Sequence, residues 1–265
     1  MAREKSPDPD NEQGENGMAE SEREAAIITG GTRGIGAAIT AGLLKRGVRC
    51  LVNGRGRDAE VDANLAEFAR LGEAELLPGD AADPKIAAAL VDQAVTSFGR
   101  VDYVVPAAGG AHPGKITDLS ANDWEEAFRV HVHAVFHLFR AAYPLLAKRG
   151  GAFLMIGSVA GVRGCPSAVA YQVVKGALPQ MARALARDHG HEGIRVNVIE
   201  PGIIRTRFHH AMTPEAERNN LDNRIPLRRF GTAEQVATAA IELLTNPFIT
   251  GETLVIDGGM SMRMV

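Results

Sequence analysis

Cysteine, aromatic residues and long apolar runs are all scarce in this chain of 265 residues. Its two cysteines, Cys50 in a strand-like run and Cys165 in a loop-like one, leave no basis for a disulfide framework. A reducing, cytoplasmic setting is the natural expectation. Aromatic residues make up 5 % of the chain, with one Trp against 29 Gly, a composition that suits helices packed closely on a sheet. No run is long enough to cross a bilayer, and the first residues show neither the apolar core of an export signal nor an Arg-rich amphipathic pattern. The net charge of −3 projects no strong field toward nucleic acid or an anionic membrane. There is no internal repeat. His133 and His137 stand at i,i+4, a spacing that can bind zinc, but no third ligand is evident and no metal is expected.

Charge is uneven along the chain. Residues 1–24 hold eight acidic and three basic residues, a net of −5 that leaves +2 for the remainder. Almost free of aliphatic residues, this segment is expected to be a disordered acidic tail. Met18 opens a second plausible start, so the folded part need not depend on what precedes it. Residues 25–265 suit one domain, with ample core at 45 % hydrophobic residues.

Strand-like runs at 25–29, 48–52, 74–77, 101–105, 152–157, 194–199 and 253–256 alternate with helical patterns at about 34–46, 58–71, 83–97, 122–148, 168–189 and 232–244. This alternation predicts an α/β fold: one doubly wound Rossmann-type domain, its parallel seven-stranded sheet covered by helices on both faces. Ligand chemistry then belongs at the carboxyl ends of the strands, where Thr29, Asp80, Ala107 to Gly109, Ser158 and Pro201 fall. The polar, strand-free segment 205–229 has the length of a substrate lid. Pro179 lies inside the 168–189 helix, where a kink is the simplest expectation.

Three residues point to hydride chemistry at a carbonyl. Ser158 follows the apolar run ending at Ile156, and Tyr171 and Lys175 stand four residues apart on one helix face. A phenol titrates near ~10 and needs about three units less, roughly 4 kcal/mol, to work near neutral pH. A positive charge ~4 Å away at an effective dielectric of ~20 supplies about that much. Ser158 would donate a hydrogen bond where negative charge grows. Alone, Tyr-x-x-x-Lys is ordinary helix decoration. The second motif, TGGTRGIG at Thr29 to Gly36, lies between a strand and a helix start and so forms a phosphate cradle.

The two motifs in this order, with Asp80, Pro201-Gly202 and the closing TGETLVIDGG at Thr250 to Gly259, resemble the short-chain dehydrogenase/reductase family over residues 25 to 265. The pattern is most similar to the 3-oxoacyl reductase and glucose/ribitol dehydrogenase branches. By that resemblance Ser158, Tyr171 and Lys175 are catalytic. The cofactor would be held by Gly30, Thr32, Arg33, Gly34, Ile35 and Gly36, by Arg55, Asp80, Ala81, Ala108 and Gly109, by Tyr171 and Lys175, and by Pro201, Gly202, Ile204 and Thr206. His112, Val159, Cys165 and Phe208 would touch substrate, and the protein would be a homotetramer or homodimer. Lys115, Arg205 and Arg207 leave room for an anionic substrate but are equally ordinary solvated charges.

Cofactor choice follows from the end of the second strand, VNGRGRD. Gly54 takes the place of the acid that would bind a bare ribose 2′-hydroxyl, and Arg55 and Arg33 would converge on a 2′-phosphate, with Arg57 in reserve. NADP(H) is therefore expected over NAD(H). Two departures from the family stand out. Pro106-Ala107-Ala108-Gly109 replaces Asn-Asn-Ala-Gly, which removes a backbone donor and bracing amides. His131, in VHVHA, replaces the Asn of V-N-x-x-G, on the apolar stripe of Trp124, Phe128, Val135, Leu138 and Ala142. By resemblance His131 takes over the relay of protons to Lys175; a packed core histidine is the alternative. The expected function is NADP(H)-dependent interconversion of a ketone and a secondary alcohol, with a nucleotide-binding regulator that has lost turnover as the alternative.

Overall fold

A computed structural model describes residues 22–209 and 212–262; the expected tail of residues 1–24 lies almost wholly outside them. Seven strands form one sheet in the order β3-β2-β1-β4-β5-β6-β7, every neighbouring pair parallel. The strands are β1 (Ala25–Thr29), β2 (Arg49–Gly54), β3 (Ala74–Pro78), β4 (Tyr103–Pro106), β5 (Gly151–Ile156), β6 (Ile194–Pro201) and β7 (Thr253–Ile256). The first half winds outward from β1 to β3, and the chain then crosses back to place β4 on the other side of β1. That reversal leaves a crevice beyond the strand ends.

The helices α1 (Gly34–Leu44), α2 (Ala59–Leu71) and α9 (Ala233–Thr245) cover one face. Their buried residues meet Ala26, Ile28, Val52 and Leu154. The other face carries α3 (Pro84–Phe98), α5 (Ala134–Arg149) and α7 (Val169–His189), which meet Ile27, Leu51, Phe153 and Val198. Alternate residues of one strand thus serve opposite cores, as the two-residue period of a strand requires. Three short helices, α4 (Ala121–Phe128), α6 (Val159–Val162) and α8 (Pro214–Asn219), lie beyond the strand ends. No helix among the described residues is long and apolar enough to cross a membrane.

The helix expected over about 122–148 is present from Ala121 to Arg149, with a change of winding inside it. Between α4 and α5 the chain makes a π-turn at Arg129–His133, which widens the helix by one residue per turn. The predicted apolar stripe accordingly splits: Trp124 and Phe128 pack in a small cluster with Ala170 and Val174, whereas Val135, Leu138 and Ala142 join the sheet core. In contrast, α7 runs on through Pro179 to His189. Pairing of β4 with β5 stops at Val104 and Phe153, before Pro106, which has no N–H to offer a ladder.

Candidate active site

A cleft of about 1780 Å³ opens where β1, β2, β4, β5 and β6 end. At one end stands the glycine-rich turn. Gly30 has a left-handed φ of +63°, and a side chain there would meet the backbone nitrogen of Ala108 at 2.7 Å. The turn and the β4 loop therefore touch backbone to backbone. Helix α1 begins at Gly34, and Arg33 in the capping position makes no side-chain cap, so the first-turn N–H groups face the cleft unclaimed. A cradle of this kind fits a dinucleotide pyrophosphate.

Ser158, Tyr171 and Lys175 line the other end, brought together by β5 and α7. The Ser158 hydroxyl accepts a hydrogen bond from the Ala160 amide at 3.2 Å, and its nearness to the Tyr171 phenol favours the phenolate. Lys175 is buried and donates from Nζ to the Ile156 carbonyl at 2.7 Å, with Nζ 5.7 Å from the centre of the Tyr171 ring. The expected depression of the Tyr171 pKa is not realised in this arrangement. Burial holds the phenol above its ordinary value, and the Lys175 ammonium is turned to the Ile156 carbonyl. Burial also lowers Lys175, to about 8.

His131 sits in the π-turn, buried, with its ring against Gly109 and edge-on to Tyr171 at a centroid distance of 5.6 Å. Its Nε2 lies 3.0 Å from the Gly110 carbonyl oxygen. Burial and the nearby Lys175 charge push its pKa far below the usual imidazole range, so the ring is neutral. His112 stacks edge-on to His131 at 5.3 Å, and its buried Nε2 has no partner among the described residues. Val159, Cys165 and Phe208 line the same cleft, Phe208 with its ring centre 5.9 Å from that of Tyr171.

The expected cofactor residues line the cleft, Gly202 excepted. Gly202 packs behind it, where a side chain would meet Asp257 Cβ at 2.7 Å. The two arginines do not converge as expected. Arg33 is drawn onto Asp58 at 2.7 Å and Glu60 at 2.9 Å, and Arg207 binds the same two carboxylates at 2.9 Å each. Those contacts hold Asp58 well below the usual carboxylate range. Arg57 pairs with Asp62, leaving Arg55 exposed on the cleft wall. Asp80 caps the turn at Ala82 and accepts from Arg129 at 2.9 Å. Sequence reading missed Asn53, whose amide bonds the Leu77 and Gly79 carbonyls and so ties β2 to β3 at the cleft edge. An Asn ending an apolar strand was the signal. Among the described residues no group of three or more His, Cys, Asp or Glu is placed to hold a metal ion.

The sequence pattern of the family described as enoyl-(acyl carrier protein) reductase matches residues 30–261. An uncharacterized oxidoreductase of Mycobacterium tuberculosis is 35 % identical over 242 residues, 89 % of this chain and 91 % of its own. This chain is a short-chain dehydrogenase/reductase. Further members agree. A 3-oxoacyl-acyl-carrier-protein reductase of Salmonella typhimurium is 30 % identical over 91 % of this chain and 98 % of its own. Among solved structures, a double mutant of a Serratia marcescens short-chain dehydrogenase/reductase superposes with a TM-score of 0.84 at 30 % identity, covering 90 % of this chain and 98 % of that one. A short-chain dehydrogenase/reductase from Mycobacterium ulcerans gives 0.85 at 30 % identity, over 91 % and 90 %. As a member of this family the chain is an oxidoreductase acting on CH–OH groups.

Proposed function

We propose that this chain is an NADP(H)-dependent oxidoreductase that interconverts a ketone and a secondary alcohol, with Tyr171 as the acid and base. The observation that carries the reading is the placement of Ser158, Tyr171 and Lys175 on the wall of the same cleft whose far end is the glycine-rich turn. A nicotinamide dinucleotide supplies or accepts the hydride when bound. In the reducing direction the Tyr171 hydroxyl gives its proton to the carbonyl oxygen, and Ser158 donates a hydrogen bond that steadies charge there. The charge on Lys175 offsets the burial that disfavours phenolate, once the ammonium is drawn toward the ring oxygen. The edge-on contact of His131 with Tyr171 and its lowered pKa support a role in passing protons rather than holding them. Gly54 and the exposed Arg55 support NADP(H), since a forked cation suits a 2′-phosphate.

The segment 205–229 is the proposed lid. Arg207 anchors it at the start of α2, and Phe208 brings it against Tyr171. The 3-oxoacyl-thioester and sugar or polyol classes are the substrates of choice, with His112, Val159, Cys165 and Phe208 as their contacts. A homotetramer or homodimer agrees with the partly exposed apolar residues Phe136 on α5 and Leu254 and Val255 on β7, and a cytoplasmic setting with the unpaired Cys50 and Cys165.

The test follows reduced-nicotinamide absorbance with NADPH and with NADH against 3-oxoacyl thioesters, cyclic ketones and sugars. Oxidation of NADPH in preference to NADH is expected, Arg55→Ala is expected to erase most of that preference, and Tyr171→Phe to bind NADPH but not turn over. Tight NADPH binding without turnover on any substrate would favour the regulator instead.

A further inference from the structure

Strand β6 runs two residues past the apolar stretch visible in the sequence and takes Glu200 into the sheet. Val196 and Val198 pack on the α7 side of the sheet with Leu178 and Ala182, while Ile199 serves the opposite core. The two-residue period therefore turns Glu200 toward α7, where Lys175 lies one helical turn before Leu178. Glu200 is 0 % exposed, and neither carboxyl oxygen has a hydrogen-bond partner among the described residues. A buried carboxyl left in that state is costly and calls for a reason.

Its neighbours supply one. Ile156 pairs with Ile199, so Gly157 stands opposite Glu200, and the carboxyl fills the space that a Gly157 side chain would take. A Cβ there would lie 2.8 Å from Glu200 Cγ and 3.2 Å from Oε1. Lys175 Nζ donates to the Ile156 carbonyl, one residue away. An ammonium and a carboxyl thus reach adjacent residues of one strand end, from α7 and from β6. A neutral carbonyl cannot by itself keep a buried ammonium charged.

Among the described residues, the other titratable groups here are Tyr171 on α7, Cys165 acting on Tyr171 from the preceding loop, His131 in the π-turn and His112 beyond β4. Burial raises Tyr171 and Cys165 and lowers both histidines, so each favours its uncharged form. Glu200 is the carboxylate whose charge raises Lys175 against the effect of burial. Burial pushes Glu200 itself up to about 7, with the Lys175 charge pulling the other way.

We propose that Glu200 is a positioning residue for the reaction: its carboxylate, set beneath Gly157, keeps Lys175 charged and placed under Tyr171. The proposal rests on the oxidoreductase reading for its consequence but not for its physical test. Ketone reduction needs both the Lys175 ammonium and the Tyr171 hydroxyl protonated. Removing the carboxylate charge lets Lys175 lose its proton at lower pH, and it also eases ionisation of the phenol. Both effects move the alkaline limb of kcat/KM in the same direction, downward.

The experiment compares the full chain with its Glu200→Gln variant. With lysine isotopically labelled at the ε-carbon, the Lys175 resonance of the cofactor-free protein is assigned by its loss in Lys175→Arg and titrated by NMR. Its midpoint is expected to fall by at least about one pH unit, tenfold in proton affinity, in Glu200→Gln. A midpoint that stays in place overturns the proposal. The alkaline limb of NADPH-dependent reduction is expected to fall in parallel, and an unmoved limb in an active variant also overturns it. Should Glu200→Gln fail to fold, Lys175→Met reads the same coupling from the other side. The infrared band of the protonated Glu200 carboxyl should then persist to higher pH than in the parent, and an unchanged band refutes the pairing. Absence of turnover in the parent sinks the oxidoreductase reading while the NMR and infrared arms still decide the pairing.

Discussion

An imidazole in a dry pocket pays for its neutrality in acid. His131 is buried and its pKa is driven far below the usual range, first by burial and then by Lys175. Below about pH 6.5 the unfolded chain takes up a proton there that the folded chain refuses. Stability from this residue is thus fully present above about 6.5 and falls with decreasing pH, by up to about 1.4 kcal/mol per unit. His131→Asn is expected to remove that slope. Urea midpoints of parent and variant at pH 5 and pH 7 check it: the difference between the two proteins should shrink or reverse in acid. A constant difference would mean that His131 titrates normally. If the ring also relays protons, the variant should alter the pH dependence of turnover, whereas an unchanged profile supports a packed core histidine.

At the scale of elements, helix ends set the frame of the cleft. Helix α9 starts with a reciprocal cap in which Thr232 accepts from the Gln235 amide and Gln235 accepts from the Thr232 amide. It packs along α1, the helix that opens at the glycine-rich turn. Thr232→Ala is expected to cost about 1 kcal/mol, read by urea unfolding, with NADPH affinity little changed. Elements of this kind were largely legible in the sequence, since β1, the glycine turn and α1 follow from an apolar run, a left-handed glycine and a helical pattern. The π-turn was not, because one extra residue per turn leaves an apolar stripe looking continuous from Trp124 to Ala142. Glu200 escaped notice because a single acid before Pro-Gly reads as the start of a loop, and only strand register shows which face it takes. The pairing of Arg33 with Asp58 was equally hidden, since an ion pair between residues 25 apart leaves no local pattern.

For the molecule as a whole, stability rests on two cores separated by the sheet. Phe153 is fully buried in one of them and meets Phe139 edge-to-face at 5.1 Å. Phe153→Ala is expected to destabilise the protein by about 3–5 kcal/mol, measured by urea unfolding, because the close-packed surroundings collapse only partly into the space. Strand β1 lies between β2 and β4 and is buried throughout. It leaves the ribosome before the other strands of this sheet, and β2 and β3 can join one side of it at once. Its other edge must wait for β4, since Ala26 pairs with Tyr103. During that interval a nascent chain carries an open row of backbone donors and acceptors flanked by apolar side chains, a template for pairing with another chain. A chain halted at Arg100 should therefore sediment as an aggregate, and one extended past β7 should not. The strand order that creates the crevice also keeps an apolar edge open until the last strand is made.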